Sequence, residues 1–200
     1  MKMSRKWLNE FVDLSLEEYD DHTFGEAMTV SGSKVEVTDD LSKTMHGVKV
    51  GRIVSIEKHP NSDHMWICQV DVGQPEPVQI VTGAQNVHEG DLVPTALHNS
   101  WLPGGVHITK GKLRGEISCG MLCSFAELGL TQNDVPGAYA DGIWILNDED
   151  CQPGQDINTV MGTDDTVVDF EITNNRPDCY SIIGLAREAA AAFDKPMRHH

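Results

Sequence analysis

The sequence predicts a mixed β and α+β protein in which a small β-barrel is inserted into a discontinuous α+β domain. Both ends of the 200-residue chain carry helix-period apolar spacing and one strand-like run each. The middle, from Val48 to Leu146, breaks instead into short β-type runs separated by turn residues. Hydrophobic residues make up 40% of the chain, enough for an ordinary core. The barrel is expected to occupy residues 43–153, with 1–42 and 154–196 forming the domain around it; the chain enters the barrel near 41–46 and leaves it near 151–165.

Ser4 is placed to cap a first helix whose Trp7, Leu8, Phe11 and Val12 share one face. Ser15, with Glu18 three residues on as capping-box partner, opens a second helix that carries Phe24, Ala27 and Met28 and stops at Ser31-Gly32-Ser33. Val35, Val37 and Leu41 then alternate with polar residues as in a half-buried strand. VKVGRIVSIEKHP (48–60), MWICQVDVG (65–73), VQIVTGA (78–84), DLVPTALH (91–98), VHITKGKLRG (106–115) and GIWIL (142–146) read as the barrel strands. Gly51 suits a bend or bulge that lets the first strand serve both halves of the barrel. A single helical turn is expected at Ala126–Leu130 and a polar loop over Asn133–Ala140. Val167, Val168, Phe170 and Ile172 form a late strand, Thr173–Tyr180 a turn, and Ser181–Phe193 an alanine-rich helix.

Charge restricts the partners. Fifteen Lys and Arg face 31 Asp and Glu, a formal net charge of −16, and the acid is spread along the whole chain. Any contact with a polyanion must therefore be local, because binders driven by phosphate contacts are usually basic. No apolar run approaches a membrane span, and MKMSRKWLNEF has no continuous apolar region behind its charges, so a cytoplasmic protein without membrane contact is expected. Cys68, Cys119, Cys123, Cys151 and Cys179 lack disulfide or zinc-ribbon spacing; they are expected reduced and buried, with no metal bound. There is no phosphate-cradling glycine loop, nucleophile elbow or motif of paired carboxylates, so the chain itself is expected to be catalytically inert.

Lys110, Lys112 and Arg114 alternate with Gly111, Leu113 and Gly115, so an extended segment would turn three cations to one side. Such a row can meet phosphates, or it can be a solvated strand face. Gly115 and Gly120 permit the bends around it. Ser118, Met121 and Ser124 can line a groove that a sugar–phosphate chain approaches closely, while core packing explains Met121, Leu122 and Cys123 equally well. His59 and Asn61 can hydrogen-bond a nucleotide, yet His59-Pro60-Asn61 followed by Ser62-Asp63 is also turn chemistry, the preferred reading. His59 with His64 falls short of the ligand number of a zinc site. Asn86, after Gly83-Ala84-Gln85, offers a specific polar contact. Arg176, in the turn Asn174–Asp178 before a helix, is a secondary anion or partner site; the preferred alternative has Asp178 capping the helix and Arg176 paired with an acid such as Glu171. His199 and His200 are given no role.

HPNSDHMWICQVDVG (59–73), IVTGAQNV (80–87) and KLRGEISCGMLCSFAELGL (112–130), in this order, resemble the oligonucleotide-binding (OB) fold tRNA-binding module of free-standing tRNA-binding proteins and several aminoacyl-tRNA synthetases. MKMSRKWLNEFVDLS at the start and FEITNNRPDCYSIIGLAREAAAAF (170–193) are similar to the N-terminal part of the bacterial phenylalanyl-tRNA synthetase β-subunit family. The resemblance implies a five-stranded OB-type barrel splitting an α+β domain, in the N-terminal part of a several-fold longer subunit. It also implies an α2β2 enzyme that uses ATP and Mg²⁺ to join phenylalanine to tRNA, with the catalytic centre in the α subunit. The partners are then tRNA, the α subunit and the remainder of β, and tRNA becomes the polyanion for the candidates above, His64 included. Two positions depart from the family pattern: His64 stands where a lysine is customary in HPNADKL, and Thr82-Gly83-Ala84 replaces Cys-Gly-Ala. Two other readings stay open, a free-standing tRNA-binding protein or RNA chaperone and a protein-interaction barrel without RNA affinity.

Overall fold

A computed structural model describes residues 1–139, 141–147 and 151–198. The elements in chain order are β1 (Lys2–Ser4), α1 (Arg5–Phe11), α2 (Asp21–Val30), β2 (Lys34–Asp40), β3 (His46–Lys58), β4 (Trp66–Asp71), β5 (Val78–Thr82) and β6 (Leu92–Leu102). They continue with β7 (Val106–Ile108), β8 (Gly111–Leu113), β9 (Glu116–Ser118), β10 (Gly120–Leu122), α3 (Ile157–Met161), β11 (Thr166–Glu171) and α4 (Ile182–Ala192). The chain divides into two compact units, Met1–Ser42 with Asp164–His200, and Lys43–Thr163. Among the described residues no helix is long and apolar enough to cross a membrane.

The first unit is an antiparallel sheet in the order β1-β11-β2, covered by helices. Leu8, Phe24, Met28, Val168, Phe170, Leu185 and Ala189 are buried together, and each of the larger side chains contributes about 1.5–3 kcal/mol by leaving water. Ser4 caps α1 as expected, its hydroxyl accepting from Trp7 N–H. The second helix starts later than Ser15. Ser15 accepts from Glu18 N–H through Oγ (3.3 Å) and from Tyr19 N–H through its carbonyl (2.9 Å), closing an isolated turn. Asp20 then caps α2 by accepting from Thr23 N–H at 2.7 Å, a bond that holds its carboxyl below the usual range. Arg5, almost wholly buried, ties the helices together: it donates to Asp21 Oδ1 and Leu14 O, both at 3.0 Å, and lies over the Phe24 ring at 4.4 Å. Burial pulls its pKa down, against the opposing pull of Asp21.

The second unit is a curled, mostly antiparallel sheet in the order β10-β6-β3-β4-β5, with β7 added to β6 and β8 paired with β9. The long β3 pairs with β6 over its first half and with β4 over its second, so it does serve both halves. It carries two register shifts, one against β4 between Ile53 and Ser55 and one against β6 between His46 and Val48. Gly51 is instead a point of close packing, where a side chain would strike Thr95 and Val70. Residues Gly154–Met161, which the sequence reading places after the barrel, hydrogen-bond to β3. Val50 N–H donates to Gln155 O, Gly154 N–H to Val50 O, and Lys49 Nζ to Asp156 at 2.9 Å.

The last β-type run does not become a strand. The backbone of 143–146 is divided among three partners: the Asn86 side chain takes Ile143, Cys123 O takes Trp144 N–H, and Leu92 O takes Leu146 N–H. Only a single bridge, Leu92 with Leu146, remains of the expected GIWIL strand. The turn at 125–130 is present, with Leu130 N–H donating to Phe125 O. The loop expected over Asn133–Ala140 is irregular through Tyr139; Ala140 lies outside the described residues, as do His199 and His200.

The sheet curls far enough for its far strand to meet the segment before β10. Cys119 N–H donates to Gln79 O (2.8 Å), Val81 N–H donates to Ser118 Oγ (3.0 Å), and Gln79 Nε2 donates to Ile117 O (2.8 Å). Gly120 is required there, since an added Cβ would fall on the Ala96 carbonyl and no flexible side chain could yield. Gly120→Ala is expected to lose about 2 kcal/mol or more of stability, measured as a lower urea midpoint with little change in slope.

Candidate nucleic-acid interface

The three cations do not form one strand row. Lys110 lies between β7 and β8, with its N–H donating to His98 Nδ1 at 3.0 Å; Lys112 is on β8 opposite Ile117. Arg114 is in the left-handed turn that joins β8 to β9 (φ 49°, followed by Gly115 at φ 101°). The expected extended segment is broken because β7 ends at Ile108, pairing resumes with a new partner at Gly111, and the chain turns left-handed at Arg114. All three side chains are exposed, and none makes an ion pair with a described residue.

The HPN loop holds this turn in place. His59 is buried; its Nδ1 accepts from Asn61 N–H (3.0 Å) and its Nε2 meets Leu113 O (3.0 Å), which assigns the proton to Nε2. Asn61 Nδ2 donates to Arg114 O at 3.2 Å. His59 and Asn61 thus fasten the β8–β9 turn, and their polar atoms serve the fold. His64 is exposed, with its N–H near Ser62 Oγ and its carbonyl accepting from Gln85 Nε2. Gln85 also accepts from Trp66 Nε1, so the 59–66 and 83–86 loops are joined.

Other candidates are similarly occupied. Asn86 donates to Ile143 O (2.8 Å) and accepts from Ile143 N–H (3.1 Å), imitating a neighbouring strand. Ser118 is buried; its Oγ accepts from Val81 N–H and donates to Gly120 O at 2.7 Å. Ser124 forms a reciprocal cap with Glu127, its N–H and hydroxyl both reaching Oε2 (2.7 and 2.8 Å). Met121 is half-buried against the core that contains Val48, Leu92 and Cys123. Burial pushes the Cys123 thiol up to about 12 and Cys68 to about 11, which marks both as inert packing residues.

Arg176 in the first unit pairs with Asp178 through Nε and Nη2 (3.2 and 2.9 Å) and with Glu188 through Nη2 at 2.6 Å. These partners raise its pKa, and Arg176 holds the Asp178 carboxyl down at about 2. Glu171 pairs with Lys34 instead, and α4 is capped by Ser181, whose Oγ accepts from Gly184 N–H. Arg176 is thus paired with neighbouring acids as expected, Asp178 and Glu188 standing in place of Glu171, while the expected Asp178 cap is replaced by Ser181. Among the described residues no group of three or more His, Cys, Asp or Glu could hold a metal ion.

Two features lay outside the sequence reading. Leu41–Ile56 and Leu92–Gly115 contain no Asp or Glu, and together they supply most of β3 and all of β6, β7 and β8. A scan for missing acids would have found them. The second is an exposed row of rings across three strands, His46 paired with Trp101 and Trp101 with His107. Trp101 lies 6.4 Å from His46 and 4.3 Å from His107, in stacked geometry. No sequence periodicity predicts a row built from strands this far apart.

Two predictions follow from these contacts. His59→Ala strands the Asn61 N–H and the Leu113 carbonyl, so a loss of about 1–3 kcal/mol is expected in urea unfolding. Asp178 has a folded-state value below its ordinary 3.8, so its pairing stabilises the fold above about pH 4 and is lost as pH falls toward about 2. The melting-temperature gap between wild type and Asp178→Asn should therefore close across that window; because the pair is exposed, the gap itself is small.

The family model described as "Putative tRNA binding domain" matches residues 48–154. The chain is also 48% identical over 199 residues to the phenylalanine–tRNA ligase β subunit of Clostridium acetobutylicum, covering 100% of this chain and 24% of that protein. It is 45% identical over 193 residues to the corresponding subunit of Clostridium tetani, covering 96% and 23%. The chain thus spans about a quarter of the length of the curated relatives it matches. A solved structure of a MetRS related protein from Pyrococcus horikoshii aligns with 55% of this chain and 86% of its own, at 22% identity and a TM-score of 0.36. The 48–154 match extends over more than half of the sequence and falls on the curled sheet that carries the HPN loop and the β8–β9 turn: the chain belongs to the tRNA-binding-domain family.

Proposed function

We propose that this chain is the tRNA-contacting and subunit-organising N-terminal portion of a phenylalanine–tRNA ligase β subunit. The observation that carries the reading is the match to such subunits over the whole chain at 48% identity. In this reading Lys43–Thr163 is a five-stranded OB-type barrel inserted in a discontinuous α+β domain made of the two flanks. The parent enzyme is a cytoplasmic α2β2 assembly that joins phenylalanine to tRNA with ATP and Mg²⁺, and its chemistry belongs to other regions. This portion supplies contacts, with tRNA through the second unit and with the α subunit and the rest of β through the remainder.

Lys110, Lys112 and Arg114 are the residues assigned to the tRNA backbone. They are exposed cations without described ion-pair partners; Lys112 and Arg114 are presented by a hairpin whose turn is fastened by His59 and Asn61, and Lys110 immediately precedes it. His59, Asn61, Asn86, Ser118 and Ser124 act through the fold rather than by touching tRNA, while His64 and Met121 lie beside the contact surface. Each cation placed on a phosphate releases counterions, so affinity must fall with salt.

The test is a titration of the chain with labelled tRNA at several salt concentrations, repeated with Lys110, Lys112 and Arg114 all changed to Ala. The wild type should bind with an affinity that falls as salt rises, and the variant should lose roughly 0.7–0.9 of the log–log slope for each phosphate contact removed. Absence of salt-dependent binding by the wild type at low salt would overturn the reading in favour of a protein-docking barrel.

A further inference from the structure

We propose that the row His46–Trp101–His107 is a stacking platform for an unpaired nucleobase, with Lys110 and His98 beside it holding the adjoining phosphate. The inference rests on the tRNA reading and names the part of the RNA that this face takes, a single-stranded segment.

Residues paired at the same register on neighbouring antiparallel strands put their side chains on one face of the sheet. His46↔Trp101 and Trp101↔His107 are such pairs, so the three rings stand side by side across β3, β6 and β7. The row is open at both ends. β7 pairs only with β6, and β4 joins β3 only from Arg52 onward, so no strand flanks His107 or His46 on its outer side among the described residues. All three residues are exposed, and Trp101 keeps 39% of its surface in water. With His107 4.3 Å and His46 6.4 Å from Trp101, the open ends and exposed edges of the row are where a base can add by stacking, without sequence preference.

Charge complementarity selects the occupant. Lys110 N–H donates to His98 Nδ1; His98 stands on β6 three positions before Trp101, and Lys110 follows the end of β7 three positions after His107. The surrounding segments, Leu41–Ile56 and Leu92–Gly115, carry no carboxylate in a chain with 31 of them. An acidic peptide or a phosphate-free aromatic ligand would use only half of this arrangement. A nucleotide uses both the rings and the cation. A bare cross-strand aromatic pair can also serve only to steady β6 against β7, and the experiment must separate that role from binding.

The probes are a hexaadenylate oligonucleotide, transcribed tRNA and inorganic tripolyphosphate, each titrated against the whole chain and the variants Trp101→Ala, Trp101→Phe, His107→Ala and Lys110→Ala, with thermal melts as a control for folding. Trp101→Ala should weaken hexaadenylate binding about tenfold or more, given the usual worth of one stacked base. It should leave the salt slope and the affinity for tripolyphosphate unchanged. Trp101→Phe should retain most of the binding, and Lys110→Ala should lower the salt slope. Wild-type affinity for hexaadenylate in a folded Trp101→Ala overturns the inference; if tRNA still binds with salt dependence, the proposed function stands. Binding of neither RNA by the wild type overturns both.

Discussion

The joint between β5 and the segment leading into β10 governs what the second unit can display. Ser118 Oγ takes the Val81 N–H and gives its own proton to Gly120 O, Cys119 N–H reaches Gln79 O, and Gly120 lies against the Ala96 backbone. These bonds draw the far edge of the curled sheet back toward its other end. A buried donor left unmade here would cost about 1–3 kcal/mol, so small and polar residues occupy the joint for reasons of closure. The β8–β9 hairpin projects immediately before it, and the His59 ring reaches up from the end of β3 to hold the hairpin turn by Leu113 O. Lys112 and Arg114 are displayed because the residues around them are occupied in holding the backbone.

A net charge of −16 is a poor guide to such a surface. At physiological salt the screening length is about 8 Å, so acids farther away than that contribute little to the field at a given side chain. Local composition decides. Most of β3 and all of β6, β7 and β8 come from carboxylate-free stretches, while the acids gather elsewhere, as around Asp20, Asp21, Asp40, Asp164 and Asp165 in the first unit. A weakly cationic face on an acidic protein favours contacts that are confined in area and sensitive to ionic strength.

Much of this was legible in the sequence because the signals are local. The Ser4 cap, the β-runs of the middle, the helical turn after Ser124 and the three motifs of the tRNA-binding family all depend on residues close in the chain. Errors arose where two local signals competed or where a distant group took a bond. Ser15 and Asp20 both satisfy the rules for a cap, and the sequence alone does not say that Ser15 closes a separate turn while Asp20 starts α2. GIWIL has strand composition, but Asn86 takes the backbone of Ile143. Alternation of Lys110, Lys112 and Arg114 requires unbroken extension, which the change of pairing partner after Ile108 and the Arg114 turn interrupt. His59, Asn86 and Ser118 are polar residues in conspicuous motifs whose partners lie 54, 57 and 37 positions away, which is why they read as ligand contacts. The His46–Trp101–His107 row depends wholly on register between distant strands.

In the proposed reading RNA meets the second unit at β6, β7 and the segment Lys110–Gly115, which carry no Asp or Glu of their own. The most direct measurement is amide chemical-shift mapping of the ¹⁵N-labelled chain during titration with tRNA at low salt. Shifts gathered at His46–Val48 and along His98–Gly115, reversed by added salt, are expected. Shifts concentrated instead in the acid-rich segments Asp20–Asp40 and Asp164–Glu171, or insensitive to salt, would contradict it.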